Sequence, residues 1–121
     1  MQNKEASRPL VYACSGCSNV AQLANNTAVA LNDQQLAEMS CISGVGGNVK
    51  PLVKKAKSGR DIIAIDGCPL ACVKHCLANH DVTATHYYEL SQLGLKKKYN
   101  THCDDSELQT TIEYIRQDIP L

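Results

Sequence analysis

Asp61-Ile62-Ile63-Ala64-Ile65-Asp66 is an unbroken apolar run closed at both ends by an acid. It is short, rich in β-branched residues and lacks the polar alternation of a half-exposed strand. A run of this kind belongs in the middle of a parallel sheet, covered on both faces. It leads directly into Gly67-Cys68-Pro69, where Pro69 suits the first turn of a helix reaching to about Asn79. A buried strand that feeds a helix is half of a strand–helix–strand unit, so the rest of the chain has to supply its neighbours.

Three further segments do so. Leu10-Val11-Tyr12-Ala13 is a second short apolar run, ending in Cys14-Ser15-Gly16-Cys17. Ser18 or Asn19 can cap a helix to about Leu31, with Val20, Leu23, Ala24, Thr27, Ala28 and Leu31 along one face. Ala37–Ile42 reads as the next strand, followed by Ser43-Gly44-Val45-Gly46-Gly47 and a helix from about Asn48 to Lys57 that Ser58-Gly59 closes. Val82–Leu90 is a weaker strand. Asp104 with Glu107 three residues later makes a capping-box start for a last helix to about Gln117. Strand and helix thus alternate four times. Short right-handed connections turn that order into a single α/β domain over residues 1–121, with residues 1–8 expected to be flexible. The sheet is open, parallel and doubly wound, in strand order 2-1-3-4.

This architecture gives the cysteines their meaning. Every strand-to-helix loop of such a sheet lies at one carboxyl edge, so Cys14 and Cys17, Cys41, and Cys68 with Cys72 all arrive at one rim. Seven cysteines in 121 residues, with a polar N-terminus in place of a secretory signal, fit a reducing compartment better than a disulfide framework. The chain is expected to be cytoplasmic. It has no apolar run of about 18 residues, so no membrane span is expected. Twelve Lys and Arg balance twelve Asp and Glu, which argues against a nucleic-acid partner.

Clustered thiols in that setting point to a metal. Zinc takes four ligands in a tetrahedron, with bound sulfurs about 3.8 Å apart. The tight turn at Cys14-Ser15-Gly16-Cys17 can supply two, and Cys68 and Cys72, four apart on a helix beginning at Pro69, can supply two more. Cys76 lies one turn further on, about 12 Å from Cys68 along a regular helix, so Cys41 and Cys76 are secondary ligands or serve another metal. Helix N-termini at Ser18 and Pro69 are expected to lower the thiol pKa values. Asp66 is expected to support a ligand as a hydrogen-bond acceptor.

Other signals are weaker. Gly44-Val45-Gly46-Gly47 resembles an anion-binding loop but lacks the Gly-Lys-Ser/Thr ending of a P-loop. Lys96-Lys97-Lys98 and the lysines at 54, 55 and 57 read as solvated faces. His75, His80, His86 and His102 lack metalloprotease spacing, with His75 and His80 as minor ligand candidates. Val20 stands where a C-x5-R phosphatase loop needs arginine.

Three stretches together resemble a known family. Cys14-Ser-Gly-Cys-Ser-Asn-Val-Ala-Gln-Leu-Ala24, Met39-Ser-Cys-Ile-Ser-Gly-Val-Gly-Gly47 and Ile65-Asp-Gly-Cys-Pro-Leu-Ala-Cys-Val-Lys-His-Cys76 resemble the DGC-domain family, named for the motif that stands here as Asp66-Gly67-Cys68. The resemblance implies a zinc-binding protein whose cysteine set is Cys14, Cys17, Cys41, Cys68, Cys72 and Cys76. Cys103 lies outside it. No residue reads as a general base beside an open metal position, so a hydrolase is not expected; the expected function is metal storage, delivery or sensing, with a metal-handling protein as exchange partner. Two alternatives stay open. One is an iron–sulfur protein in electron transfer, because a cluster tolerates wider ligand spacing. The other is a thiol–disulfide oxidoreductase acting through Cys14 and Cys17.

Overall fold

Four short strands carry the molecule, and in a computed structural model, which describes residues 8–121, all of them run parallel. Except for Arg8, the expected flexible N-terminus lies outside the described residues. β1 (Leu10–Ala13) pairs with β3 (Ile62–Asp66) along its whole length, from Leu10 opposite Ile62 to Ala13 opposite Ile65. β2 (Glu38–Met39) lies outside β1, and β4 (His86–Glu89) lies outside β3. The order is β2-β1-β3-β4, as expected from the alternation of elements.

Side-chain alternation divides the core into two layers. Val11, Ala13, Ile63, Ile65 and Tyr88 face α1 (Asn19–Asp33) and α5 (Asp105–Asp118), where they meet Leu23, Ala24, Ala28, Leu31, Ile112 and Ile115. Leu10, Tyr12, Ile62 and Ala64 face the other way. There they pack with Val45 of α2 (Ile42–Gly46), Ala56 of α3 (Lys50–Ala56) and Val73 and Leu77 of α4 (Cys72–Ala78). Both central strands are buried at every position, which is why they read as continuous apolar runs. The apolar face expected on α1, Val20 to Leu31, is buried throughout. The capping box of α5 is formed, with Asp104 accepting from the Glu107 N–H and Glu107 from the Asp104 N–H.

Three expected boundaries move. β2 is two residues long rather than six, because an edge strand that meets only Leu10 and Val11 has nothing further to pair with. Of the glycines after it, Gly44 and Gly46 belong to α2 and serve packing, and Gly47 caps its C-terminus. A Cβ on Gly44 would stand 2.0 Å from a Leu52 methyl, and one on Gly46 would stand 3.0 Å from the Cys76 sulfur. The helix expected from Pro69 begins only at Cys72, because Ala71 takes the left-handed conformation (φ 54°, ψ 48°) and closes a turn with its N–H on the Cys68 carbonyl, 3.1 Å. The fourth strand covers only the second half of 82–90, since Thr85 turns its side chain onto the Ile62 N–H instead of continuing the ladder.

Candidate metal centre

The carboxyl ends of β1 and β3 are neighbours, so the loops that leave them meet. Cys14 follows β1 directly, and its N–H still belongs to the sheet, donating to the Ile65 carbonyl at 3.1 Å. Its sulfur accepts a hydrogen bond from the Gly67 N–H at 3.2 Å, which ties the first cysteine motif to the second. Burial pushes the Cys14 thiol up to about 11; the Gly67 N–H opposes the shift, and Asp66, Cys72 and Cys68 add to it. The expectation of a lowered pKa is therefore reversed at Cys14, because desolvation of a half-buried thiolate outweighs one N–H donor. Cys17 is exposed on a turn that Gln22 braces, donating to the Ser15 hydroxyl (3.1 Å) and the Gly16 carbonyl (2.7 Å). Ser18 then caps α1 by accepting from the Ala21 N–H.

Each residue of Asp66-Gly67-Cys68 has a separate task. Asp66 is fully buried at the end of β3 and accepts from the Val73 N–H (2.8 Å), the Lys74 N–H (3.2 Å) and the Tyr87 hydroxyl (2.9 Å). It is the remote N-cap of α4, supplying the acceptor that Ala71, the residue at the cap position, cannot. Its support is thus for the helix that carries Cys72. Gly67 lies against the first turn of α1: a Cβ there would stand 2.6 Å from the Val20 carbonyl group and 2.8 Å from the Ala21 nitrogen. Only a residue without a side chain lets β3 end so close to Cys14. Cys68 then lies half-buried on the rim, with the Lys97 ammonium 3.6 Å from its sulfur.

The cysteines separate into those that share this place and those that do not. Cys14 interacts electrostatically with both Cys68 and Cys72, and Cys76 with Cys72. The pair four apart on one helix is Cys72 and Cys76, since Cys68 belongs to the preceding turn. Cys76 packs on Gly46 at the end of α2, whereas Cys41 precedes the start of that helix, so the two lie at its opposite ends. Cys103 is held by the Asn19 carbonyl at 3.6 Å, beside the first turn of α1. His75 and His80 turn ring nitrogens to the Ala71 and Val45 carbonyls, at 2.8 and 2.9 Å. All seven cysteines are free thiols, and among the described residues no three Cys, His, Asp or Glu side chains stand in a preformed ligand set. The donor chemistry nonetheless fits a thiophilic ion: the rim offers several thiols on two adjoining loops, and the buried carboxylates at the strand ends, Asp66 and Glu89, are already engaged.

A family model, the DGC domain, matches residues 10–115, from the first residue of β1 to the last core residue of α5. The chain belongs to the DGC-domain family. The motif that names the domain is the one at which β3, α1 and α4 are fastened together around Cys14 and Cys68. A relative from Pseudomonas aeruginosa, named anaerobic and virulence modulator AnvM, is 60% identical over 101 residues, covering 84% of this chain and 77% of its own. No solved structure matches this DGC domain at a significant level. No helix among its described residues is long and apolar enough to cross a membrane.

Two residues beside the site escape a reading of the sequence. Tyr87 reaches Asp66 from β4, and burial together with that contact pushes its phenol up. Lys97 sits in a lysine run that looks like solvated surface. Neither leaves a mark along the chain, because each is brought in by pairing or by a loop crossing 21 and 29 residues away.

Proposed function

We propose that this DGC domain binds zinc through the thiolates of Cys14, Cys17, Cys68 and Cys72, and that the bound metal is stored, delivered or sensed rather than used in turnover. The observation that carries the reading is the meeting of two loops: β1 and β3 end side by side, and the Cys14 thiol lies within electrostatic reach of Cys68 and Cys72. Exposed Cys17 and Cys72 are free to turn toward that point, and side-chain rotation completes the set when metal arrives. Structural zinc binding of this kind couples to proton release, so the high pKa of Cys14 makes uptake steeper with pH. A reducing, cytoplasmic setting belongs to this reading, because it keeps the thiols free for metal, and a metal-handling protein is the natural exchange partner. Between the three uses, the relative's name as a modulator favours sensing.

An iron–sulfur centre is the second reading, supported by the additional thiol Cys76 beside Cys72 and by the word anaerobic in the relative's name. The oxidoreductase reading has less support. An attacking thiol needs a depressed pKa and access, whereas Cys14 is half-buried with its pKa raised to about 11. Elemental analysis of anaerobically purified protein, with an absorption spectrum, decides among them. About one zinc per chain without visible absorbance, abolished by Cys68→Ser, is the expected result. Iron with sulfide and a brown colour would replace zinc by a cluster. Protein that takes up no metal after reconstitution would end the metal reading.

A further inference from the structure

Of the three lysines at 96–98, one is unlike the others. The Lys97 ammonium lies 3.6 Å from the Cys68 sulfur and 5.3 Å from the centre of the Tyr99 ring. Its place is built by the backbone. Asn19, nearly fully buried at the start of α1, bonds both of its neighbours: its amide donates to the Lys96 carbonyl at 2.9 Å, and its side-chain oxygen accepts from the Lys98 N–H at 2.6 Å. The Asn19 N–H donates to the Lys98 carbonyl at 3.0 Å, and Ser18 bridges to Tyr99. The segment is therefore a strap fastened to the first turn of α1 on either side of Lys97, and the side chain between those fastenings is directed over the carboxyl rim.

We infer that Lys97 is the counter-cation of the thiolate site, held against Cys68 by the Asn19 clamp. The inference rests on the thiolate reading proposed above. Four thiolates around a divalent ion leave two negative charges in excess, and an ammonium donating to one sulfur offsets one of them. Charge-assisted hydrogen bonds of this type are stronger than neutral ones. The Tyr99 ring favours the same cation from below. Lys97 thus sets how firmly the centre holds its metal, and displacement of the strap is a route to release.

The test compares Lys97→Gln, Lys97→Arg and Lys97→Glu with the parent protein, all checked for an unchanged melting temperature. In the metal-free protein, alkylation by iodoacetamide is followed at each cysteine by peptide mass spectrometry. The Cys68 rate is expected to change several-fold in Lys97→Gln while that of Cys17 is unchanged, because the ammonium no longer lies against the Cys68 sulfur. In competition with a chromogenic chelator, Lys97→Gln should hold zinc about tenfold more weakly and Lys97→Glu more weakly still, with Lys97→Arg close to the parent. With cobalt in place of zinc, the thiolate-to-metal charge-transfer band should shift in Lys97→Gln. Unchanged Cys68 reactivity together with unchanged zinc retention would overturn the inference. Should the parent protein take up no metal, the zinc reading falls, and the alkylation rates alone decide whether Lys97 pairs with Cys68.

Discussion

Cys14 shows how the same residue type takes different chemistry from its position. It sits one residue beyond a fully buried strand, so its sulfur is half out of water, while Cys17, Cys41 and Cys72 are exposed. At neutral pH in metal-free protein, iodoacetamide should therefore modify Cys17, Cys41 and Cys72 first and Cys14 last, an order that timed peptide mapping reads directly. The same burial has a consequence for stability. The folded pKa of about 11 lies above the ordinary thiol value of 9.0, so the folded state holds this proton more tightly than the unfolded chain does. Its contribution is fully present below about pH 9 and is lost as pH rises through about 11. Urea unfolding at pH 8 and pH 11 should show that loss, and Cys14→Ala should reduce it.

At the scale of elements, the joint between β3, α1 and α4 bears the most consequence. Gly67 takes no unusual backbone angle; what it lacks is room, with the Val20 and Ala21 backbone in the way of any Cβ. Gly67→Ala has to push α1 away from the sheet and stretch the hydrogen bond to Cys14, at a cost of about 2 kcal/mol or more. A lowered urea midpoint with an unchanged slope would register it. Asp66→Asn leaves a single oxygen where Val73, Lys74 and Tyr87 now find two. The loss is about 1–3 kcal/mol, and amide hydrogen exchange should speed up at Val73 and Lys74 before the rest of α4. Cys72 then sits on a frayed helix end, so the variant is also expected to bind zinc less firmly.

For the whole molecule, the two core layers are held by a sheet only four strands wide, and the thiol rim joins loops from its two central members. A metal shared by those loops would cross-link Cys14 with Cys68, 54 positions apart in the chain. Zinc that binds only the folded state at a hundred times its Kd adds about 2.7 kcal/mol. For a domain of this size that raises Tm by roughly 10 °C. Differential scanning fluorimetry with and without zinc, and after a chelator, should show the rise and its reversal; Cys68→Ser should show neither.

The strand–helix alternation, the central place of Ile62–Asp66, the buried face of α1 and the capping box at Asp104 were all legible in the chain. Each depends on neighbours within a few residues, where periodicity and local hydrogen-bonding chemistry dominate. The strand order followed as well, because short parallel crossovers leave few arrangements. That the loop after β1, with Cys14, meets the loop after β3, with Gly67 and Cys68, was foreseeable from the common direction of the strands. Their surroundings were decided only in three dimensions. The start of α4 moved three residues because a buried aspartate seven positions away from Val73 outcompeted proline as its organiser. Cys14 gained a high pKa because packing from both layers removed water, which no local pattern records. Lys97 gained its contact with Cys68 because Asn19, 78 positions earlier, fastens the backbone on either side of it. Local rules determined the elements and their order; desolvation and long-range hydrogen bonds, which exist only once those elements pack, determined the chemistry of the rim.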